Sequence, residues 1–279
     1  MRPALQADLP AITVFLTEHI ATAMFPLSNL ARHGWNSDAP RGPQFWIAQS
    51  AGNVTDVLCI TNEGMVMPNC PSGNWPEIAQ ICANRALIGL AGDSDQCDSI
   101  ITALGLENAH AGLNGREPSM QLDLVNLVVP QGDGQLVPLA ICNLAQMAQW
   151  RAAFVIEAMG VDPDRAAAIG TRDVTTYLAN DSHRALMIDG APVAMTGFNA
   201  TLPNTVQIGG VYTPPALRGR GYARRAVALH LQEARDKGVT RAILAAANAA
   251  ARRAYDAIGF EHIGHFTLHL FKTPQVAHG

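Results

Sequence analysis

The chain has 279 residues, of which 48% are hydrophobic and 15% are charged, and its formal net charge is −4. This composition excludes a disordered chain and is typical of a globular protein with a hydrophobic core. Residues 1–138 carry five arginines against thirteen acidic residues, whereas residues 139–279 carry a net charge of +4, and neither part has the basic run of a nucleic-acid-binding protein.

In the first half of the chain, helices alternate with strands. Apolar residues at helical spacing predict a helix that begins at Leu9, with Asp8 as its N-cap. Two strands follow on either side of a turn at Ala51–Asn53. The later elements are a strand in GMVMP, a helix over WPEIAQICANRAL, a strand in IGLAG, a helix over DQCDSIITAL and a strand in MQLDLVNLVV. This alternation predicts an α/β domain.

The stretch with the strongest linker character is Pro130 to Pro138, which is polar and contains two glycines between prolines. It predicts a boundary between two domains at 1–134 and 139–279.

In the second half, a helix is expected to end at Gly160, and two strands form a hairpin across Asp189–Gly190. A strand over 205–213 leads to an amphipathic helix over 222–237. The last elements are a buried strand in RAILAAA, a helix after Asn248 that ends at Gly259, and a strand in HIGHFTLHLF.

The segment LRGRGYARRAV, residues 217–227, lies between the predicted strand and the amphipathic helix, with four arginines around Gly219 and Gly221. A helix start presents unpaired N–H groups, and glycines let the backbone approach an anion closely. The segment therefore predicts a phosphate-binding loop. A Walker loop is excluded because no Gly-Lys-Ser/Thr follows, and a dinucleotide fingerprint fails because Arg224 replaces its third small residue.

The pattern Arg/Gln-x-x-Gly-x-Gly/Ala does fit, at Arg218, Gly221 and Ala223. With VYTPPALRGRGYARRAV and the later ANAAARRAYDAIGF, residues 140–272 resemble the GNAT superfamily of N-acetyltransferases, in which this loop holds the pyrophosphate of acetyl-CoA. The first half has no intact loop but resembles a degenerate domain of the same kind. The resemblance implies an α/β protein of two tandem GNAT-like domains, each a mixed, mostly antiparallel sheet flanked by helices.

The resemblance also implies the site residues. Strands 205–213 and 241–247 would splay apart. Gly209-Gly210 would form a bulge or a close approach and present an N–H to the thioester carbonyl, although two glycines can also simply relieve packing. Tyr255 would protonate the departing CoA thiolate, although its place on an apolar helix face also suits a core tyrosine. Contacts to acetyl-CoA are expected from Val211, Tyr212, Thr213, Arg218, Gly219, Arg220, Gly221, Tyr222, Ala223 and Asn248. Asn248 is equally an N-cap, and Arg224 and Arg225 are expected to be solvated.

The acceptor is expected to be a primary amine of a small molecule or amino acid, which must lose a proton before attack. Glu157 is a candidate base, because Trp150 and Phe154 share its helix face and apolar surroundings raise a carboxyl pKa; a surface glutamate is the alternative. A non-catalytic acyl-CoA sensor or scaffold and a transferase for longer acyl chains are rival interpretations.

Other patterns do not predict sites. Asp181-Ser182-His183 is contiguous, whereas a catalytic triad assembles in space. His262, His265 and His269 fall on opposite faces of a strand, so we expect no metal. The five widely spaced cysteines predict reduced thiols, and no signal peptide or membrane span is predicted. We expect a cytoplasmic monomer or homodimer.

Overall fold

The computed structural model describes residues 1–277, and these residues divide into two units. One unit contains residues 1–118 and the chain from Gly264 onward, and the other is Ser119–Ile263. The stretch from Pro130 to Pro138 lies within the second unit. The domain limits 1–134 and 139–279 stay a prediction.

The first unit is a mixed sheet with helices. Its elements are β1 (Arg2–Pro3), α1 (Leu9–Glu18), α2 (Ile20–His33), β2 (Pro43–Ser50), β3 (Asn53–Thr61), β4 (Met65–Asn69), α3 (Trp75–Cys82), β5 (Ala86–Asp93), α4 (Ser94–Ala103), the start of β6 (Ala111–Asp123) and most of β12 (Glu261–Val276). The strands from β1 to β5 lie in chain order, and β12 pairs with β5.

The second unit repeats this arrangement. Its elements are the end of β6, β7 (Gln135–Pro138), α5 (Leu144–Met159), α6 (Pro163–Ala179), β8 (His183–Ile188), β9 (Ala191–Thr201), β10 (Thr205–Tyr212), α7 (Tyr222–Asp236), β11 (Arg241–Ala245), α8 (Ala249–Asp256) and the start of β12. The strands from β7 to β11 lie in chain order, and the end of β6 pairs with β11.

Both sheets have the same series of pairings. Three antiparallel pairs are followed by a parallel pair, β4 with β5 in the first unit and β10 with β11 in the second, and then by an antiparallel pair. The predicted fold class, two α/β domains with mixed and mostly antiparallel sheets, is confirmed.

Each unit has its own hydrophobic core. In the first unit Leu58, Leu90 and Ile100 are fully buried, and in the second Val227 and Leu231 of α7 are fully buried against the sheet. Complete burial of one such side chain contributes about 1.5–3 kcal/mol. The apolar stripe predicted for 222–237 is therefore the face on which α7 packs.

Several predicted elements need correction. Asp8 precedes α1 but does not cap it by a side-chain bond, because its carboxylate binds Arg2 instead. Helix α2 was missed, since Pro26 lies inside it, and α6 was missed because it buries only small residues and Val174. The strand predicted over 120–129 ends at Asp123.

Among residues 1–277, no helix is long and apolar enough to cross a membrane. Cys59 and Cys97 are buried free thiols, and burial raises the pKa of each.

Candidate functional site

Strands β10 and β11 begin as a parallel pair and then diverge. They are paired from Thr205↔Arg241 to Gln207↔Ile243. Past that point, the described part of the chain has no further pairing between them, although β10 continues to Tyr212. The end of this pairing agrees with the predicted splay, and the backbone groups of β10 on this side beyond Gln207 have no paired residue in β11, so that a ligand could hydrogen-bond to them.

A β-bulge lies within the diverging part of β10. The register with β9 shifts between Gly209 and Tyr212, and Gly210 has φ +64. A Cβ on Gly209 would lie 1.9 Å from Asn199 Nδ2, and a Cβ on Gly210 would lie 2.7 Å from His183 Nε2. The predicted bulge is confirmed, and both glycines are needed because side chains pass directly against them.

The loop after β10 ends at a helix start formed by glycine. A 3-10 turn at Pro215–Leu217 leads to Gly219 and Gly221, which both have φ +79. Gly221 is the N-cap of α7 and, having no side chain, cannot accept hydrogen bonds from the first-turn N–H groups. These N–H groups and the positive end of the helix dipole favour an anion at this position.

Arg218 lies between the strand end and this helix start. Its Nε donates to the Thr213 carbonyl at 2.9 Å, and its Nη2 donates to Glu157 Oε2 at 2.6 Å. The guanidinium carbon lies 5.8 Å from the centre of the Tyr212 ring. Arg218 is thus held at the loop by strand, helix and aromatic contacts, with about half of its side chain exposed.

The other three arginines of the segment have different surroundings. Arg225 donates from Nε to the Asp133 carbonyl at 2.9 Å and from Nη1 to the Pro130 carbonyl, so it anchors the stretch that was predicted to be a linker. The expectation that Arg225 is only solvated is therefore wrong. Arg224 Nε is buried without a hydrogen-bond partner among residues 1–277, and Arg220 is exposed.

Glu157 does not have the apolar surroundings on which its role as a base was argued. Trp150 is buried, but the Glu157 side chain is 45% exposed and forms an ion pair with Arg218. The reason is that α5 turns this carboxylate toward the loop after β10. Burial raises the pKa of the nearby Tyr212, and the negative charge of Glu157 raises it further.

The two remaining predicted residues, Asn248 and Tyr255, lie at the start and near the end of α8, the helix that follows β11. Asn248 accepts a hydrogen bond from the Ala251 N–H at 2.9 Å, so its side chain caps α8. Tyr255 is buried in the hydrophobic core, with its ring 5.8 Å from that of Phe260. Val211 of β10 packs against the same cluster. The core placement of Tyr255 that the apolar stripe predicted is thus observed.

One cluster next to the bulge was missed by sequence reasoning. Ser182 Oγ lies 2.9 Å from His183 Nδ1, and the Tyr177 ring stacks on the His183 ring at 3.4 Å. Asp181 turns away and accepts a hydrogen bond from Arg184 at 2.8 Å, so the contiguous Asp-Ser-His run is not a triad. Gly197 in β9 and Gly210 in β10 could have predicted this cluster from the sequence, because a glycine inside a strand indicates that another group approaches the backbone closely.

The first unit has a comparable divergence after β4 and β5, but its donors are used internally. The Cys70 N–H donates to Gln96 Oε1 at 2.8 Å. Asp56 Oδ1 accepts from the N–H of Ser72 at 2.9 Å and from its hydroxyl at 2.7 Å, and Asp56 is buried. In the first unit, side chains of the protein thus accept the hydrogen bonds of the backbone N–H groups that follow the diverging strand β4.

Within residues 1–277, no group of three or more His, Cys, Asp or Glu side chains is placed to hold a metal ion. His269 Nδ1 instead lies 3.2 Å from Asn114 Oδ1.

Comparison with known proteins finds a family model that matches part of the second unit. Residues 146–260 match the family model described as acetyltransferase (GNAT) family. This segment contains the diverging strands, the bulge, the loop and α8. No curated protein matches the chain at a significant level.

Solved structures of this family share the fold over nearly the whole chain. An acetyltransferase of the GNAT family from Colwellia psychrerythraea is 14% identical, with 97% of this chain and 99% of that chain covered and a TM-score of 0.52. A GCN5-related N-acetyltransferase from Kribbella flavida is 18% identical, with 91% and 94% covered and a TM-score of 0.56. A tandem GNAT protein from the clavulanic acid biosynthesis pathway is 15% identical, with 96% and 97% covered and a TM-score of 0.50. At these identities the likeness concerns the fold.

Proposed function

We propose that this protein transfers an acetyl group from acetyl-CoA to a primary amine of a small molecule or amino acid, since residues 146–260 match the model of the acetyltransferase (GNAT) family. The observation that carries the proposal is the combination of the diverging strands β10 and β11 with a loop whose glycines precede α7. The family match supports acyl transfer in general, and the choice of acetyl donor and amine acceptor is our own inference.

The residues present fit a CoA pyrophosphate. A Cβ on Gly219 would meet no atom within 4 Å, so the backbone there borders open space, and Arg218 and Arg220 flank it with positive charge. Thr213 Oγ1 is buried and has no hydrogen-bond partner in the described chain, which a ligand would supply. The residues proposed to hold acetyl-CoA are Val211, Tyr212, Thr213, Arg218, Gly219, Arg220, Gly221, Tyr222, Ala223 and Asn248.

Bound acetyl-CoA would supply an acyl thioester. The backbone N–H groups of the bulge at Gly210 would hold the carbonyl oxygen as negative charge develops on it when the amine attacks. The Tyr255 hydroxyl would donate its proton to the sulfur as the carbon–sulfur bond breaks, because a phenol hydroxyl is a proton donor that a leaving thiolate can use.

The proton lost by the amine needs an acceptor. Glu157 is the proposed base on sequence grounds, but its pairing with Arg218 at 2.6 Å supports a second role, in which the carboxylate holds Arg218 at the loop. The two roles are compatible only if a bound pyrophosphate draws Arg218 away and releases the carboxylate.

The proposal is tested by turnover. Release of CoA thiol from acetyl-CoA is measured with a panel of primary amines and amino acids, for wild type and for Tyr255→Phe, and binding of acetyl-CoA to both proteins is measured by calorimetry. We expect one class of amines to be acetylated and Tyr255→Phe to lower kcat by about 10²-fold or more, with binding of acetyl-CoA retained.

Two results would contradict parts of this account. Turnover that Tyr255→Phe leaves unchanged would refute the acid role of Tyr255. Tight binding of acetyl-CoA with no acceptor in the whole panel would instead favour a non-catalytic acyl-CoA sensor.

A further inference from the structure

The His183 side chain reaches from β8 across the sheet to the bulge in β10. His183 is paired with Gly197 of β9 and is 2% exposed. A Cβ on Gly197 would lie 2.1 Å from the imidazole, and a Cβ on Gly210 would lie 2.7 Å from Nε2. The ring therefore occupies the space that two glycines leave open, and Nε2 lies beside the backbone of the bulge.

Two neighbours fix the orientation of the ring. Tyr177 of α6 stacks on it with an interplanar angle of 11°, and Ser182 Oγ lies 2.9 Å from Nδ1. Burial raises the pKa of Tyr177 to about 12, so this ring stays neutral. The stacking sets the plane of the imidazole, and the hydrogen bond to Ser182 sets its rotation within that plane.

The other ring nitrogen of His183, Nε2, is in an energetically unfavourable environment. His183 Nε2 is buried and has no hydrogen-bond partner among residues 1–277. A buried polar group in that state destabilises the fold, and a phenylalanine ring would not carry this penalty. Burial, together with Arg151 and Arg184, lowers the pKa of His183 to about 3, so the imidazole is neutral near pH 7. A neutral imidazole can still donate or accept one hydrogen bond at Nε2.

Nε2 lies against Gly197, which pairs with His183, and against Gly210, which lies in the bulge of β10. An extra residue in a bulge is left without its regular partner, and here the register changes between Gly209 and Tyr212. The direction of these peptide groups is therefore set by side-chain contacts and by the left-handed conformation of Gly210, whose φ is +64.

We propose that His183 is a positioning residue for acyl transfer, whose buried imidazole holds the bulge peptide at Gly210 and so aims its N–H at the acyl carbonyl. The inference rests on the proposed function, because it concerns the same carbonyl. His183 would act through the backbone and would touch neither the acetyl group nor the amine.

A matched control is available in the same unit. His230 of α7 is also buried, stacks on Phe198 at 3.9 Å and has an Nδ1 without a hydrogen-bond partner within the described residues. Phe198 and Gly197 are consecutive in β9, so their substituents lie on opposite faces of the sheet. His230 thus has the same physical character as His183 but stacks on the face opposite the His183 ring.

The test measures the carbonyl directly and needs no acceptor. Acetyl-CoA labelled with ¹³C at the carbonyl is bound to wild type, His183→Phe, His183→Gln and His230→Phe, and the carbonyl resonance is recorded by NMR beside the affinity from calorimetry. A hydrogen bond to the carbonyl moves the resonance downfield. We expect a downfield shift in wild type and in His230→Phe, loss of at least half of it in His183→Phe with affinity changed less than about threefold, and partial recovery in His183→Gln, whose amide can reach the position of Nε2.

The failures are distinguishable. If His183→Phe binds acetyl-CoA with the wild-type carbonyl shift, or if His230→Phe loses the shift equally, the positioning role is wrong while the proposed function stands. If wild type binds no acetyl-CoA, the proposed function fails, and this inference fails with it. Should His183→Phe not fold, Ser182→Ala removes the hydrogen bond that fixes the ring, and an unchanged carbonyl shift in that variant overturns the inference.

Discussion

The ion pair between Arg218 and Glu157 can be removed by substituting either residue, and the two substitutions are expected to have opposite effects on acetyl-CoA binding. Both side chains are about half exposed, at 48% and 45%, so the pair itself contributes only about 0.5 kcal/mol. Glu157→Gln frees the guanidinium from a competing anion and should tighten acetyl-CoA binding about twofold. Arg218→Gln removes a charged hydrogen-bond donor to phosphate, worth about 1.5–3 kcal/mol, and should weaken binding about tenfold to a hundredfold.

The assay is calorimetric titration of acetyl-CoA at low and high salt. The gain in Glu157→Gln should shrink as salt rises, since exposed charges are screened. Weaker binding by both variants would refute the competition argument, because it would mean that Glu157 contributes to binding. Unchanged affinity with lost turnover in Glu157→Gln would instead support Glu157 as the base.

Further predictions concern stability and stoichiometry. A Cβ on Gly170 of α6 would lie 2.3 Å from the Ala148 carbonyl oxygen of α5, so Gly170→Ala should lose about 1–3 kcal/mol in a thermal melt, and an unchanged Tm would refute the packing argument. Because burial lowers the pKa of His183 to about 3, the unfolded chain binds the extra proton below about pH 6.5, and stability should fall as the pH drops through that range. Urea unfolding near pH 7 and near pH 5 should show a loss about 2 kcal/mol smaller in His183→Phe than in wild type, and equal losses would contradict the burial of a neutral imidazole. In the first unit, the backbone N–H groups that follow β4, those of Cys70 and Ser72, already donate to Gln96 and Asp56. Calorimetry should therefore give one acetyl-CoA per chain, and a stoichiometry of two would contradict this.

The sequence predicted those parts of the site that depend on local backbone chemistry. Glycines at 219 and 221, and Asn248 before an apolar stripe, indicate helix starts without knowledge of the tertiary structure, and α7 and α8 begin where these residues predicted. The hairpin at Asp189–Gly190 is of the same kind, because both residues have positive φ.

The parts that could not be predicted depend on contacts across the sheet or between helices. Glu157 shares a helix face with two aromatic residues, but only the fold shows that its carboxylate points to Arg218. Helix α6 packs on α5 through small residues such as Gly170, which leave no apolar period in the sequence. His183 follows a loop, and its contact with Gly197 and Gly210 depends on the pairing of β8, β9 and β10, which the sequence does not show.

The central claim, that the glycine loop before α7 binds acetyl-CoA, is tested most directly by titrating acetyl-CoA into Gly219→Glu and Gly238→Glu. Both glycines have positive φ, +79 and +96, and neither Cβ position has an atom within 4 Å, so the two variants carry the same strain and the same added charge. Only Gly219 lies in the loop, whereas Gly238 follows the C-terminal end of α7. The account predicts wild-type affinity in Gly238→Glu and at least about a tenfold loss in Gly219→Glu. Equal affinity in both variants would contradict it.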